Sequence, residues 1–307
     1  MAILIDPPLW PAHGTLWSHL ITDTDLAELH AFAAHLGIPR RAFDLDHYDV
    51  PASLHETAVR LGAYPATSRE LLRALQQSGL RVRHAERAAI IPVQRRAYLV
   101  NEWQSLGVAL DAPPAWAGLG ESLLERWYEP HRSYHDARHL EDVLLALDQL
   151  RPDGEPPALV SLAAAWFHDA VYRGTPTDER DSAALAEQEL GRLALPSEFV
   201  GEVAEMIIAT DPSLRIENAT PPLAQLLDAD LWILASHAAR YDEYRASVRH
   251  EYAHVPDRAF ATGRSTILEH YLDRPAIYLT ERAHDLWESR ARTNLTRERE
   301  MLSQSVG

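Results

Sequence analysis

The sequence predicts a two-domain chain, α/β followed by all-α, with a small α/β unit carrying a short parallel sheet over residues 1–85 and a helical bundle over 98–307. Three observations carry this. Short apolar runs alternate with capped helical segments up to about residue 85. From about 98 onward the apolar residues recur at helical spacing. The segment PALVSLAAAWFHD is apolar almost all round, which marks a buried central helix.

In order along the chain, AILID (2–6) reads as a buried strand and TDTDLAELHAFAAHLG as a helix capped by Thr22 or Asp23 and ended by Gly37. RAFDL (41–45) is a second strand candidate, and Pro51 opens a helix through ASLHETAVRLG. Thr67-Ser68-Arg69-Glu70 is a capping box before LLRALQQSG, with Gly79 as its stop, and LRVR is a third strand candidate. Residues 86–97 read as the connection. In HLEDVLLALDQL, Leu140, Val143, Leu144, Leu147 and Leu150 share one face. Further helices are predicted over 178–193, 197–209, 221–236, 238–253, 258–272 and 278–300.

Composition excludes several chemistries. The chain has no cysteine, so disulfides, thiolate nucleophiles and zinc ribbons are out. It has no lysine, so all 29 basic residues are arginine, and Schiff-base and P-loop lysine chemistry are excluded. The net charge of −16 speaks against a nucleic-acid partner. The longest apolar run is too short to span a membrane. MAILIDPPLW has no basic region before its apolar residues and does not read as a signal peptide, so a cytoplasmic protein is expected.

Four residues stand out: His139, the dipeptide His168-Asp169, and Asp230. Two imidazoles and two carboxylates can hold one divalent ion and leave coordination positions open, as catalytic sites do. Asp228 competes with Asp230 for the last place. His135 and His139 are four apart, one turn of a helix. Arg138, Arg173 and Arg264 are candidate phosphate ligands, or ordinary solvated and helix-pairing arginines. Tyr241, Tyr244 and Tyr252 read as core.

In order and context, the string EPHRSYHDARH, WFHDAVY, DER-DSA, DADLWIL, YDEYRASVRHEY, GRSTIL resembles the HD superfamily of metal-dependent phosphohydrolases, within a bacterial subfamily described as predicted HD phosphohydrolases. The resemblance implies an HD-type helical bundle and a divalent ion (Mn, Mg, Zn, Co, Ni or Fe) on His139, His168, Asp169 and Asp230, the second Asp of DAD. Tyr134-His135-x-x-x-His139 is similar to the phosphodiesterase motif in which the first His protonates the leaving group, which assigns that role to His135. Arg264 matches a Gly-Arg of the subfamily, and Glu179 lies in a stretch similar to DNE-x-x-SA. Glu179 either orients water or belongs to an ordinary acidic first turn. HD-type di-iron oxygenases and cyclic-dinucleotide enzymes carry extra histidines between the HD pair and the last Asp. Residues 170–229 hold none, which argues for one tightly held ion.

The expected activity is hydrolysis of a phosphate ester of a nucleotide or another small phosphorylated metabolite. Two rivals remain: a non-catalytic nucleotide-sensing module, and a nucleic-acid-processing enzyme using N-terminal carboxylates. WPAHGTLWSHLITD and AFDLDHYDVP resemble a bacterial domain of unknown function, over most of residues 1–83. Asp6, Asp44 and Asp46 at strand ends either chelate Mg²⁺ or Mn²⁺ or serve as loop and cap residues. His13, His19, Asp44 and Asp46 are the residues that would complete the chemistry if this unit contributes to it.

Overall fold

The computed structural model describes residues 2–12, 14–151, 156–214, 216 and 218–306, and it divides into two compact units, Met1–Arg96 and Ala97–Gly307. His13 lies outside the described residues. Among them, no helix is long and apolar enough to cross a membrane.

The first unit runs β1 (Ile3–Ile5), β2 (Trp10–Ala12), β3 (Thr15–Thr22), α1 (Leu26–His35), β4 (Tyr48–Pro51), α2 (Ala52–Arg60), β5 (Tyr64–Pro65) and α3 (Ser68–Ser78). Strand β3 is the hub, antiparallel to β1, β2 and β4, while β1 is parallel to β5. The sheet is therefore mixed and mostly antiparallel, which corrects the short parallel sheet expected from the sequence. A hairpin is the reason. Ala12 pairs with Thr15, and Gly14 takes φ +75°, the left-handed backbone a tight strand connection needs. Two strands thus occupy the stretch whose His and aromatic density masks strand alternation.

RAFDL and LRVR are not strands. Arg40–Ala42 is a 3-10 turn, residues 80–83 are irregular, and the strand in this region is β4, whose Tyr48 and Val50 are buried. Asp25, rather than Thr22 or Asp23, caps α1 by accepting from the Ala27 N–H. Thr67 and Glu70 form the expected capping box on α3, and Gly79 stops it at φ +76°. Ile3, Ile5, Leu20, Leu29, Ala33, Tyr48 and Val50 are among the residues of the core between the sheet and helices α1 and α2.

Helix α4 (Arg87–Ala109) absorbs residues 87–97, the expected connection, with Pro92 inside it, and the division between the units falls within this helix. The second unit continues with α5 (Trp116–Trp127), α6 (Ala137–Leu150), α7 (Leu159–Phe167), α8 (Asp178–Arg192), α9 (Ser197–Ile208), α10 (Pro221–Asp230), α11 (Ala238–Glu251), α12 (Asp257–Leu272) and α13 (Glu281–Val306). The helix predicted over 221–236 breaks after Asp230 into a 3-10 turn, Leu231–Ala235.

Helix α7 packs against α6, α8, α9 and α10. Two tryptophans stand behind its C-terminal end. Trp103 and Trp116 stack 4.0 Å apart, and each indole N–H donates to the other's carbonyl at 2.8 Å. Trp166 of α7 meets Trp103 edge-on at 4.9 Å, and its carbonyl accepts from Trp127. The stack requires close helix approach. A Cβ on Gly120 would lie 2.2 Å from Trp103 Cδ1, and one on Gly107 2.4 Å from Trp116 Cδ1.

Gly120→Ala should therefore destabilise the protein by about 1–3 kcal/mol through overpacking. Gly118, on the same helix, has open space where its Cβ would go, and Gly118→Ala should raise stability by about 0.5–1 kcal/mol. Urea midpoints of the two variants check this. Equal effects would mean that the indole pair does not set the fit.

Candidate metal centre

Three helix ends meet at one point. Asp136 caps α6 by accepting from the N–H groups of Arg138 and His139, which places His139 in the first turn. Helix α7 ends at Phe167, with His168 as its C-cap and Asp169 just beyond. Adjacent residues diverge in mid-helix, but at the terminus the imidazole and the carboxylate reach the same place. Asp230 is the last residue of α10.

Their donor atoms converge. His139 Nε2 lies 3.1 Å from His168 Nε2, 3.1 Å from Asp230 Oδ1 and 3.6 Å from Asp169 Oδ2. His168 Nε2 lies 3.3 Å from Asp169 Oδ2 and 3.5 Å from Asp230 Oδ1. Ligands bonded at about 2.1 Å to one ion stand about 3.0 Å apart at right angles and about 3.4 Å apart in a tetrahedron, so the spacing suits a divalent metal. The chemistry of the donors suits it too. His168 Nδ1–H donates to the Ala165 carbonyl at 2.8 Å, which leaves Nε2 with its lone pair toward the cluster. Trp127 packs against both imidazoles, at 6.3 Å from His139 and 5.5 Å from His168.

Charge balance points the same way. Burial raises both carboxyls, but the neighbouring imidazoles outweigh it and hold Asp169 and Asp230 well below the usual carboxylate range. Burial lowers His168, and the two carboxylates outweigh that and hold it above the ordinary imidazole range. The C-terminal ends of α7 and α10 carry negative dipole ends beside these carboxylates.

Asp228 is elsewhere. Its Oδ1 accepts from Leu279 N–H at 2.7 Å, and its Oδ2 accepts from Thr280 N–H at 2.8 Å and Thr280 Oγ1 at 2.7 Å, which caps the start of α13. Asp230 is the member of DAD that faces the histidines.

His135 precedes α6 rather than lying on it, so the two histidines of the motif are not successive turns of one helix. Its ring stands 5.8 Å from that of His139 and stacks on Tyr172 at 4.1 Å. Its Nδ1 meets Glu251 Oε2 at 2.8 Å. Sequence reasoning missed Glu251. Its Oε1 accepts the N–H groups of Ser133, Tyr134 and His135 at 2.8, 2.7 and 3.0 Å, and Tyr172 Oη donates to Oε2 at 3.0 Å. Burial raises Glu251, but His135 and these amides bring it down to about 2. Burial lowers His135, and the Glu251 bond together with the Asp169 charge outweighs it, so this imidazole sits above its ordinary range. One signal existed in the sequence: Glu251 ends α11, where the dipole disfavours an acid.

Arg132 was missed as well. Its guanidinium is buried, with Nη1 donating to the carbonyls of His135 at 2.9 Å and Asp169 at 2.7 Å, Nη2 to Ala170 at 3.2 Å, and Nε to Glu129 at 3.1 Å. It ties the His135 loop to the turn after His168.

A cleft of about 870 Å³ opens over the cluster, lined by His135, His168, Asp169 and Asp230 and walled by Tyr134, Tyr172, Tyr244, Tyr252, Phe260 and Ile267. Tyr241 is core as read, whereas Tyr244 and Tyr252 reach this wall. Glu179 borders the cleft from the first turn of α8. Burial and the charges of Asp211 and Asp169 raise it. Its neighbours in the motif are structural. Asp178 accepts from Arg173 N–H, Thr175 N–H and Thr175 Oγ1, and Ser182 Oγ bonds both the N–H and the carbonyl of Val171. Arg264 also lines the cleft, but its Nε and Nη2 are engaged by Glu298 at 2.9 and 3.1 Å. Arg138 and Arg173 pair with Glu243 and Asp181 on the surface and do not line it.

In the N-terminal unit, Asp6 and Asp46 are buried and saturated with hydrogen bonds, and Asp44 pairs with Arg87, so none of the three is a free chelating group. Asp44 and Asp46 also precede β4 rather than ending a strand.

Residues 3–78 match the model of a family described as protein of unknown function (DUF4031), which agrees with the resemblance read over residues 1–83. No curated protein matches the chain.

Glu251→Ala should destabilise the protein by roughly 2–4 kcal/mol, because three partly buried amides lose their shared acceptor. Glu251→Gln keeps an acceptor oxygen and should cost less. Urea denaturation of both variants checks the order, and equal losses would mean that the amides find other partners.

Proposed function

We propose that the helical unit is an HD-type, metal-dependent phosphohydrolase acting on a nucleotide or another small phosphorylated metabolite. The observation that carries the reading is the convergence of His139, His168 and Asp230 to donor separations of 3.1–3.5 Å, with Asp169 3.6 and 3.3 Å from the two imidazoles, beside a cleft that His168, Asp169 and Asp230 line. These four would hold the ion. A divalent metal supplies phosphoryl polarisation and lowers the pKa of water from about 15.7 toward about 7.

The chain's own groups account for the rest. His135 keeps Nδ1–H on Glu251 and turns Nε2 to the leaving oxygen, to which it delivers a proton. Its raised pKa keeps that proton available near neutral pH. Tyr172 stacks on the ring and, with Glu251, fixes its plane. Glu179 faces the cleft as a carboxyl with raised affinity for protons and orients water or a hydroxyl. Arg264, neutralised by Glu298, acts as a positioned donor rather than a free charge. Tyr244, Tyr252 and Phe260 offer aromatic faces suited to a nucleobase. The acidic lining favours a substrate with few phosphates.

A screen of phosphorylated metabolites across Mn²⁺, Mg²⁺, Zn²⁺, Co²⁺, Ni²⁺ and Fe²⁺ tests the reading directly. Turnover of none, by metal-loaded protein, would leave a binding module in its place.

Elemental analysis should find that His168→Ala and Asp169→Ala each lose one equivalent of divalent ion relative to the unmodified chain. Retention in both would sink the ligand assignment.

His135→Ala should keep that ion and lose turnover by roughly 10²–10⁴-fold. The loss should shrink for nitrophenyl esters, whose leaving group needs no proton. An equal loss on activated and unactivated esters would remove His135 from the role of acid.

A further inference from the structure

A second group of ligating side chains stands in the N-terminal unit and takes no part in the reading above. Strands β3 and β4 pair so that His19 lies directly opposite Asp49. His47 is two residues before Asp49, and alternate residues of an extended chain face the same way. The three side chains therefore share one face of the sheet. One ligand atom from each lies within 4.8 Å of the others, and the two imidazoles stand 5.0 Å apart.

What distinguishes this group from a chance surface cluster is how the rings are held. His19 Nδ1 meets Asp6 Oδ2 at 3.1 Å, and His47 Nδ1 meets Asp46 Oδ1 at 2.7 Å. Both carboxylates are buried, at 0% and 1% exposure. Both are fixed in turn. Asp6 also accepts from the His19 amide at 2.6 Å, Ser68 Oγ at 2.6 Å and Trp10 Nε1 at 3.4 Å. Asp46 also accepts from Arg81 Nη1 at 2.9 Å and the Val82 amide at 2.8 Å. Each ring thus donates Nδ1–H to an anchored carboxylate and keeps the Nε2 lone pair, which is how metal-binding histidines are oriented and made more basic. A solvent-exposed ion pair between His47 and Asp49, whose Nε2 and Oδ1 are 3.8 Å apart, needs none of this support.

We propose that His19 and His47, through Nε2, and Asp49, through its carboxylate, bind a divalent transition metal on the face of this sheet that α3 covers in part. Two nitrogens and one carboxylate oxygen favour Zn²⁺, Fe²⁺, Co²⁺ or Ni²⁺ over Mg²⁺ and Ca²⁺, which prefer oxygen alone. The side chains are 30%, 18% and 49% exposed, so the site opens to solvent. Three protein ligands leave a coordination position for water or a small anion, as in catalytic rather than structural sites. The carboxylates Asp6 and Asp46, read from the sequence either as chelators or as loop and cap residues, become the supports of the histidines that chelate.

The test uses the full chain, stripped with chelator and titrated calorimetrically with Zn²⁺. In the His168→Ala background, which removes a ligand from the helical unit's cluster and leaves this one whole, one equivalent should bind. Adding His47→Ala or His19→Ala should abolish it, and adding Asp46→Asn should weaken it about 10–100-fold. In the otherwise wild-type chain, His47→Ala should lower the Zn²⁺ stoichiometry by one equivalent while His168→Ala lowers it independently, a comparison that stands even where the double variant fails to fold. A stoichiometry unchanged by His19→Ala and His47→Ala overturns the proposal, as does the absence of Zn²⁺ binding in a folded His168→Ala protein.

Discussion

A buried helix that ends in two ionisable residues constrains the whole helical unit. Helix α7 is nearly all apolar and enclosed by four other helices, and it terminates in His168-Asp169. Charges cannot be left unpaired at such a depth. The surrounding elements answer this. His139 arrives from the start of α6 and Asp230 from the end of α10, while the backbone carbonyls of Ala165, Asp169 and Ala170 are taken by His168 and Arg132. The tryptophan stack behind Trp166, fitted against Gly107 and Gly120, sets how deep the helix end sits. The polar cluster and the apolar core are therefore parts of one packing solution.

Two side chains hold the loop that carries His135. Arg132 reaches inward to the turn after the histidine–aspartate pair, and Glu251 reaches from α11 to three successive amides of the loop. A loop fixed from both sides by charge-assisted hydrogen bonds presents its imidazole in one orientation. The same carboxylate that accepts from the amides also accepts from Nδ1–H of His135, so positioning of the loop and choice of tautomer come from a single group.

The pairing of a buried carboxylate with an imidazole recurs in the other unit. Asp6 holds His19 and Asp46 holds His47, as Glu251 holds His135. In each case the acid is nearly inaccessible and satisfied by amides as well as by the ring. In the first unit the rings sit on or beside paired strands, and in the second the ring sits in a loop before a helix. The common factor is the physical need to fix a ring that has two possible tautomers.

The sequence by itself determined most helices of the second unit and the face of α6 that is buried, and its resemblance to the HD superfamily pointed to His139, His168, Asp169 and an aspartate of the DAD segment. Local pattern is enough for the helices and their buried faces, because helical periodicity and capping act within a few residues. It also marked the N-terminal unit as a small α/β body, yet the sheet came out mixed. Strand pairing is a long-range choice, and the hairpin of β2 and β3 was obscured by histidines and aromatics whose alternation is uneven. Only the tertiary structure decided between Asp228 and Asp230, since both carboxylates look alike in sequence and differ in whether a helix start or two imidazoles face them. It alone brought Glu251 to His135 and Arg132 to Asp169, across 116 and 37 residues of chain. It also turned Asp6 and Asp46, read as strand-end chelators or loop and cap residues, into buried supports. Burial and partner geometry are properties of the packed chain, and no window of sequence contains them.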